Sequence, residues 1–361
     1  MLEPILKIND VQKSFGMTKV LDGISFEMIE GECICLLGSS GSGKSTLLQI
    51  IAGLLKAEHG EINMSGLQAL SRNKFIPPEK RPINMVFQDY ALWPHMTVRK
   101  NIEYGLKMSK VPESIRRKKV ESVSQLLQLD GLLNRLPSEL SGGQQQRVGI
   151  ARALATEPNI LLMDEPLSNL DVKLRTEMRS ELADILRRLS ITTIYVTHDM
   201  MEAFALADRI LVLHQGKIAQ LASPQKMYEE PETLGVAQLM GYQNRLKGKI
   251  TSINKDTATI QCGEYSVKGT LQTGKNDKLS VGDDVLVMLQ LEAIHFDSVS
   301  VQPENYIEVK IVQVIYEGSR WRYRLEMKDG QYIEALHTKK QSLDDIMNIA
   351  FSVQQTRIFK L

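Results

Sequence analysis

The chain has 361 residues and a formal net charge of +1, enough for two domains and without the basic excess that draws a protein to nucleic acid or an anionic membrane surface. Its three cysteines, Cys33, Cys35 and Cys262, exclude a disulfide framework. No apolar run approaches the ~20 residues of a membrane span and no signal peptide opens the chain, so the reading is a cytosolic protein that cannot itself be a pore.

In chain order, Ile5 to Val11 and Val20 to Met28 read as strands of a small antiparallel sheet. Glu32 to Leu37 is an apolar run that suits a buried strand. Cys33 and Cys35 share one face of it, as small hydrophobes and not as a redox or zinc pair. Thr46 to Leu54 has helical apolar spacing. Between them, residues 38 to 45 read Gly-Ser-Ser-Gly-Ser-Gly-Lys-Ser, the G-x-x-x-x-G-K-S pattern of a phosphate-binding loop. A triphosphate needs many donors and no intruding side chains. Gly38, Gly41 and Gly43 let the backbone turn its N–H groups inward, and the following helix adds the positive end of its dipole. Lys44 reaches phosphate oxygens as a mobile charge, and Ser45 offers a hard oxygen suited to Mg²⁺. Ser39, Ser40, Gly41, Ser42, Gly43, Lys44, Ser45 and Thr46 are therefore the candidate nucleotide contacts. A flexible Gly/Ser turn is the bland alternative; the strand, loop and helix order argues against it.

Asn84 to Phe87 reads as a further strand, ending at Gln88. From Asp89 to about Leu140 the pattern turns helical and polar, and the basic run Arg116 to Lys119 suits a solvated helix face. The loop Trp93-Pro94-His95 has two readings of equal standing, a docking surface or a small satellite core. Leu140-Ser141-Gly142-Gly143-Gln144 opens another helix. Ser141 offers a hydroxyl and the two glycines bare N–H groups, a second anion-type helix end that lacks its own lysine. Ile160 to Met163 is a buried-strand run that delivers Asp164 and Glu165 to a sheet edge. Asp164 is the candidate Mg²⁺ ligand and Glu165 the general base for water. A second apolar strand, Thr192 to Val196, ends at Thr197-His198-Asp199, where His198 alone would read as a strand-end cap.

Pro224, Pro231 and Glu229-Glu230 mark a boundary. Beyond Gly241, β-type runs dominate: 246–253, 257–262, 284–289, 307–314, 322–327, 331–336 and 351–358. Two halves opening on Lys249-Ile250 and Lys310-Ile311-Val312 suggest a pair of small OB-like barrels that share strands. Trp321, Arg322, Tyr323 and Arg324 interleave aromatic and basic side chains, as a nucleic-acid stacking platform would.

Taken together, these motifs and their order resemble the ATP-binding-cassette (ABC) ATPases, from about residue 4 to the C-terminus. The string Leu140 to Gln144, continued by Gln145-Gln146-Arg147, resembles the family's signature. The resemblance implies that Gln88 belongs to a Q-loop and ligates Mg²⁺ or positions water. It also implies a D-loop at Ser168-Asn169-Leu170-Asp171, and a switch histidine in His198 that senses the γ-phosphate or attacking water. Phe15 matches the aromatic that stacks on adenine, with a core aromatic as the alternative, and Val20 lies toward the ribose. The fold implied is an α/β P-loop NTPase with an antiparallel β subdomain and an inserted helical subdomain at about 89–158. This ATPase domain spans 1–235, and an all-β OB-like (TOBE) regulatory and dimerising domain spans 236–361.

Within the family, the chain resembles bacterial importer subunits for sugars, polyamines, ferric iron and phosphonates. The implied function is ATP hydrolysis with Mg²⁺, coupled to solute uptake. Two copies would form a head-to-tail homodimer in which Ser141, Gly142, Gly143 and Gln144 act in trans. The implied partners are two permease subunits and, through them, a solute-binding protein, with the chain peripheral on the cytoplasmic face of the inner membrane and no nucleic acid involved. A soluble ABC ATPase acting on ribosomes or DNA is the alternative function, but such proteins usually fuse two cassettes or insert a long coiled coil. Where related subunits carry Arg-Pro-Glu in the last domain, this chain reads Gln290-Leu291-Glu292.

Overall fold

The structure, a computed structural model, describes residues 3–272, 279–296 and 305–361. They form two compact units, Met1–Pro224 and Gln225–Leu361.

The first unit opens with β1 (Leu6–Phe15), β2 (Thr18–Met28), β3 (Cys33–Leu37) and α1 (Lys44–Ala52). There follow β4 (His59–Met64), β5 (Leu67–Ser71), β6 (Lys74–Phe75) and β7 (Ile83–Val86). A helical stretch, α2 (Val98–Met108), α3 (Glu113–Leu126) and α4 (Gly142–Leu154), precedes β8 (Ile160–Asp164), α5 (Val172–Leu189), β9 (Thr192–Val196), α6 (Met200–Leu206), β10 (Arg209–His214) and β11 (Lys217–Ala222). β1, β2, β4, β5 and β6 make an antiparallel sheet in the order β2-β1-β4-β5-β6. The remaining strands make a six-stranded sheet, β11-β10-β3-β9-β8-β7, parallel except for β11.

The continuous apolar runs of β3, β8 and β9 are buried nearly throughout, as expected for parallel strands covered on both faces. α1 supplies part of that cover: Leu47, Leu48, Ile50 and Ile51 join Ile34, Leu36, Leu162 and Ile194 in one core. Each fully buried aliphatic side chain of this kind contributes about 1.5–3 kcal/mol. Because β3, β9, β8 and β7 run parallel, their carboxyl ends share one edge of the sheet. There the chain leaves β3 for the Gly-rich loop, β8 for Glu165, β9 for Thr197 and β7 for Gln88.

The basic run lies on α3, where Arg116 donates to the Val111 carbonyl (2.8 Å) and Lys119 pairs with Glu157 (2.8 Å), while Arg117 and Lys118 are exposed. The Trp93 loop is packed at its aromatic ring and exposed at its tip. The Trp93 ring packs on Tyr104 (centroids 4.3 Å apart) under the Arg152 guanidinium, whereas Pro94 and His95 are exposed.

The second unit holds α7 (Pro224–Glu229), α8 (Leu234–Leu239), β12 (Asn244–Asn254), β13 (Thr257–Cys262), β14 (Tyr265–Leu271), β15 (Asp284–Leu289), β16 (His295–Phe296), β17 (Asn305–Tyr316), β18 (Trp321–Met327), β19 (Tyr332–His337), β20 (Ile346–Phe351) and β21 (Arg357–Lys360). The sequence boundary at 235 therefore falls inside this unit, and the two short helices group with the strands. β12-β13-β14-β21-β15 close into a barrel, and β16-β20-β17-β18-β19 form a second sheet; one apolar core serves both.

The run 351–358, read as one strand, is two. Ser352 accepts from the Gln355 N–H and so caps a short 3₁₀ turn, which ends β20 in the sheet and starts β21 in the barrel. Trp321 to Arg324 do not form a platform. The period of two sends Tyr323 into the core, with its hydroxyl donating to the Lys339 carbonyl (2.8 Å), and Arg322 is paired with Glu317 and Glu334. Gln290 is buried, donating to the Met240 carbonyl (3.3 Å).

Candidate nucleotide site

The Gly-rich loop is shaped around cations and anions, and not around its own packing. Gly38 sits against β10: a Cβ there would lie 2.4 Å from the Leu213 carbonyl. Gly43, at φ 104°, is in the left-handed region, and a Cβ would lie 2.7 Å from Leu21. Both positions admit only glycine. The Lys44 ammonium folds back on the loop and donates to the carbonyls of Gly38 (2.9 Å) and Ser39 (3.1 Å). Burial lowers the Lys44 pKa, while the nearby carboxylates of Glu165 and Asp164 oppose that shift. Gly43 caps α1 without any side-chain bond, so the first-turn N–H groups point to the open edge. Ser42 Oγ is buried without a hydrogen-bond partner among the described residues. Ser39, Ser40 and Gly41 form the exposed lip, and Thr46 is half-buried on α1.

Two carboxylates face this loop from β8. Asp164 Oδ1 lies 3.4 Å from Ser45 Oγ, so two hard oxygens converge. Burial, and then the charge of Glu165, raises the Asp164 pKa; the Ser45 and Lys44 contacts work against the shift. Glu165 adopts a left-handed φ of 44°, and its N–H donates to the Val196 carbonyl (3.0 Å), tying it to β9. Its Oε2 lies 3.0 Å from His198 Nδ1 at the end of that strand. The Gly-rich loop, the Asp164–Glu165 pair and His198 thus converge at this edge.

Other candidates sit around it. Phe15 is 52% exposed at the β1–β2 turn, with the Lys13 ammonium 5.3 Å from its ring, so it is not a core aromatic. Val20 is half-buried beside Gly43. Gln88 is exposed, and its carbonyl accepts from Asn169 Nδ2 (2.9 Å), which straps the segment after β7 to the segment after β8. Ser168 Oγ donates to the Glu165 carbonyl (2.8 Å), and Asp171 caps α5. Residues 141–144 lie elsewhere. Ser141 accepts from the Gln144 N–H (3.4 Å) and Gln144 Oε1 from the Ser141 N–H (3.0 Å), while Gly142 and Gly143 abut Leu170 and Leu174. No hydrogen bond joins them to the Gly-rich loop among the described residues.

Sequence reasoning missed the polar residues that hold these loops. Asn101, fully buried, accepts from the Trp93 N–H (2.9 Å) and donates to the Trp93, Met96 and Thr97 carbonyls. Arg152 donates to the Ala91 and Tyr90 carbonyls, and Arg175 to those of Ser168 and Leu170. Glu202, 3% exposed, accepts from Tyr195 and Thr197. Only Glu202 left a trace in the sequence: Asp199-x-x-Glu202 is a capping-box pattern.

An ABC transporter family model matches residues 21–168. The chain is 41% identical over 336 residues to the spermidine/putrescine import ATP-binding protein PotA of Marinobacter nauticus, covering 93% of this chain and 88% of that one. The chain belongs to the ATP-binding subunits of ABC importers. It is also 38% identical over 357 residues to the Fe(3+) ions import ATP-binding protein FbpC of Fusobacterium nucleatum, covering 98% of this chain and 92% of that protein. Among solved structures, CbiO1 of Clostridium perfringens, part of the ABC transporter complex CbiONQ, superposes with a TM-score of 0.58 at 30% identity, covering 65% of this chain and 94% of that one.

As a member of this family the chain is an ATPase that uses ATP with Mg²⁺. The residues present fit both. The orphaned Ser42 hydroxyl, the open end of α1 and the Cβ-free walls at Gly38 and Gly43 suit a polyphosphate. Ser45 and Asp164 suit one hard divalent cation. No cluster of three or more acidic, His or Cys side chains able to hold a metal occurs among the described residues. A groove of about 690 Å³, lined by Glu30, Val123, Leu126, Leu154 and Ile191, opens where β8 and β9 begin, at the opposite edge of the sheet from this chemistry.

Proposed function

We propose that Glu165 is the general base of ATP hydrolysis and that His198 orients it. The observation that carries this is the 3.0 Å contact between Glu165 Oε2 and His198 Nδ1 beside the Lys44 loop. Nδ1–H donates to the carboxylate, which fixes the tautomer and leaves Nε2 free to accept from the attacking water. Lys44 exchanges its two loop carbonyls for β- and γ-phosphate oxygens. Ser45, Asp164 and the Gln88 amide would hold Mg²⁺, which when bound would neutralise phosphate charge. Phe15 stacks on the adenine face, with Val20 toward the ribose. Replacing Glu165 with Gln is the test: ATP binding persists and turnover falls, and near-normal hydrolysis would remove Glu165 from the base role.

Residues 141–144 complete the site of a second copy. They form a helix end suited to phosphate but lack a lysine, and in their own chain they face the D-loop. Two copies joined head to tail then bury two ATP molecules, each between one Gly-rich loop and the other copy's signature. In this reading the dimer sits peripherally on the cytoplasmic face of the inner membrane, with Pro94 and His95 against a permease pair served by a solute-binding protein. Among the described residues no helix is long and apolar enough to cross a membrane. The names of the relatives make a polyamine the first solute to test and ferric iron the second. Reconstituting the chain with its neighbouring permease and measuring which solute stimulates ATPase activity decides between them.

A further inference from the structure

The His198 side chain is 58% exposed, and its ring has one polar partner among the described residues, Glu165. Packing does not hold the imidazole, so its position depends on the backbone that carries it. That backbone is tied on both sides. Thr197, before it, donates its hydroxyl proton to Glu202 Oε2 (2.7 Å). Asp199, after it, donates its N–H to the same Thr197 hydroxyl (2.9 Å). The hydroxyl has one proton, so the direction of this chain of bonds is set by the carboxylate.

Glu202 is the third residue of α6, and in a complete capping box its carboxylate would return to the Asp199 N–H. Only half of that box forms: Asp199 Oδ1 accepts from the Met201 (2.7 Å) and Glu202 (3.3 Å) N–H groups. The Glu202 side chain turns inward instead, and the same Oε2 also accepts from the Tyr195 hydroxyl on β9 (2.9 Å). Burial pushes its pKa up, so the arrangement costs stability that an apolar side chain would not.

We infer that Glu202 is a positioning residue for hydrolysis: through the Thr197 hydroxyl it fixes the backbone on both sides of His198 and so keeps the imidazole on Glu165. This rests on the Glu165–His198 reading above. The carboxylate touches no reacting atom and acts through Thr197 alone.

The test is steady-state ATPase kinetics of the full chain carrying Thr197→Val, Glu202→Ala, Glu202→Gln, His198→Ala and the double variant Thr197→Val/His198→Ala. Thr197→Val removes the hydroxyl and little volume. It lowers kcat about tenfold with KM for ATP within about twofold, and adds nothing once His198 is gone. Glu202→Ala loses at least as much turnover, and Glu202→Gln recovers most of it, because a carboxamide oxygen can accept both bonds. A Thr197→Val effect that persists undiminished in the His198→Ala background, or a rise in KM matching the fall in kcat, overturns the inference. So does Glu202→Gln as impaired as Glu202→Ala. If Glu202→Ala fails to fold, the Thr197→Val cycle decides alone. Normal turnover in Thr197→Val beside an impaired His198→Ala sinks this inference and leaves the His198 reading intact; normal turnover in His198→Ala sinks both.

Discussion

Two helix ends in the first unit look alike in sequence and differ in chemistry. α1 follows a Gly/Ser segment and α4 opens on Ser141-Gly142-Gly143, and each could meet an anion through first-turn N–H groups. The α1 end is open: its cap, Gly43, makes no side-chain bond, and a lysine stands at its first helical position. The α4 end is closed on itself by the reciprocal Ser141–Gln144 box. An open end must find its partner in a ligand, whereas a closed end is already stable and adds affinity only when a ligand is brought to it. In the proposed dimer this is what would separate the half-site that recruits nucleotide from the half-site that a second copy supplies.

The comparison can be broken in a graded way. Glu165→Gln leaves both helix ends intact and removes the base, so turnover falls by about 10² or more while ATP-dependent dimerisation, read by size-exclusion chromatography, persists. Lys44→Ala strips the open end of its charge. Loss of charge-assisted bonds of about 1.5–3 kcal/mol weakens ATP binding by roughly 10- to 100-fold, measured by calorimetry on the isolated chain. Ser141→Ala opens the closed end at a cost of about 1 kcal/mol to α4. Its hydrolysis falls while single-chain ATP affinity does not change, and an equal loss of both would mean that the two ends are not separate half-sites. Phe15→Ala raises KM for ATP by roughly 5-fold, with kcat nearly unchanged, as removing one stacking contact of about 1 kcal/mol should.

The smallest effect concerns α6, whose box is half made. Glu202 has a folded-state pKa raised above its usual 4.5 by burial and by Asp199, against the opposing pull of Thr197, Tyr195 and Arg175. The folded chain therefore holds that proton more tightly than the unfolded one, and stability falls as pH rises from about 4.5 through the folded value. Glu202→Gln escapes this, so its Tm at neutral pH equals or exceeds that of the parent, and the difference closes toward pH 4.

The legibility of the chain followed the range of its interactions. β3, β8 and β9 were readable because parallel, doubly covered strands are written as unbroken apolar runs, and each ends on a short motif with its own chemistry. The inserted helices were readable from their period. The second unit was harder. Its period of two marks strands but not where one strand gives way to another, so the turn capped by Ser352 reads as strand. Asn101, Arg152 and Arg175 escaped because a side chain that bonds to loop carbonyls carries no periodic signature. The partners of Arg152 at Tyr90 and Ala91, for instance, lie on another stretch of chain and meet it only after folding.

The loop between Gln88 and Thr97 is held along most of its length. Its carbonyls at residues 88, 90, 91, 93, 96 and 97 are all engaged by side chains, from Asn169, Arg152 and Asn101. A segment so pinned has no slack to absorb a displacement. A force applied at the exposed Pro94–His95 tip is passed on as translation of the whole loop, and the Asn169 strap makes the segment after β8 travel with it. Stiffness, and not sequence distance, sets how far a push at the tip is felt.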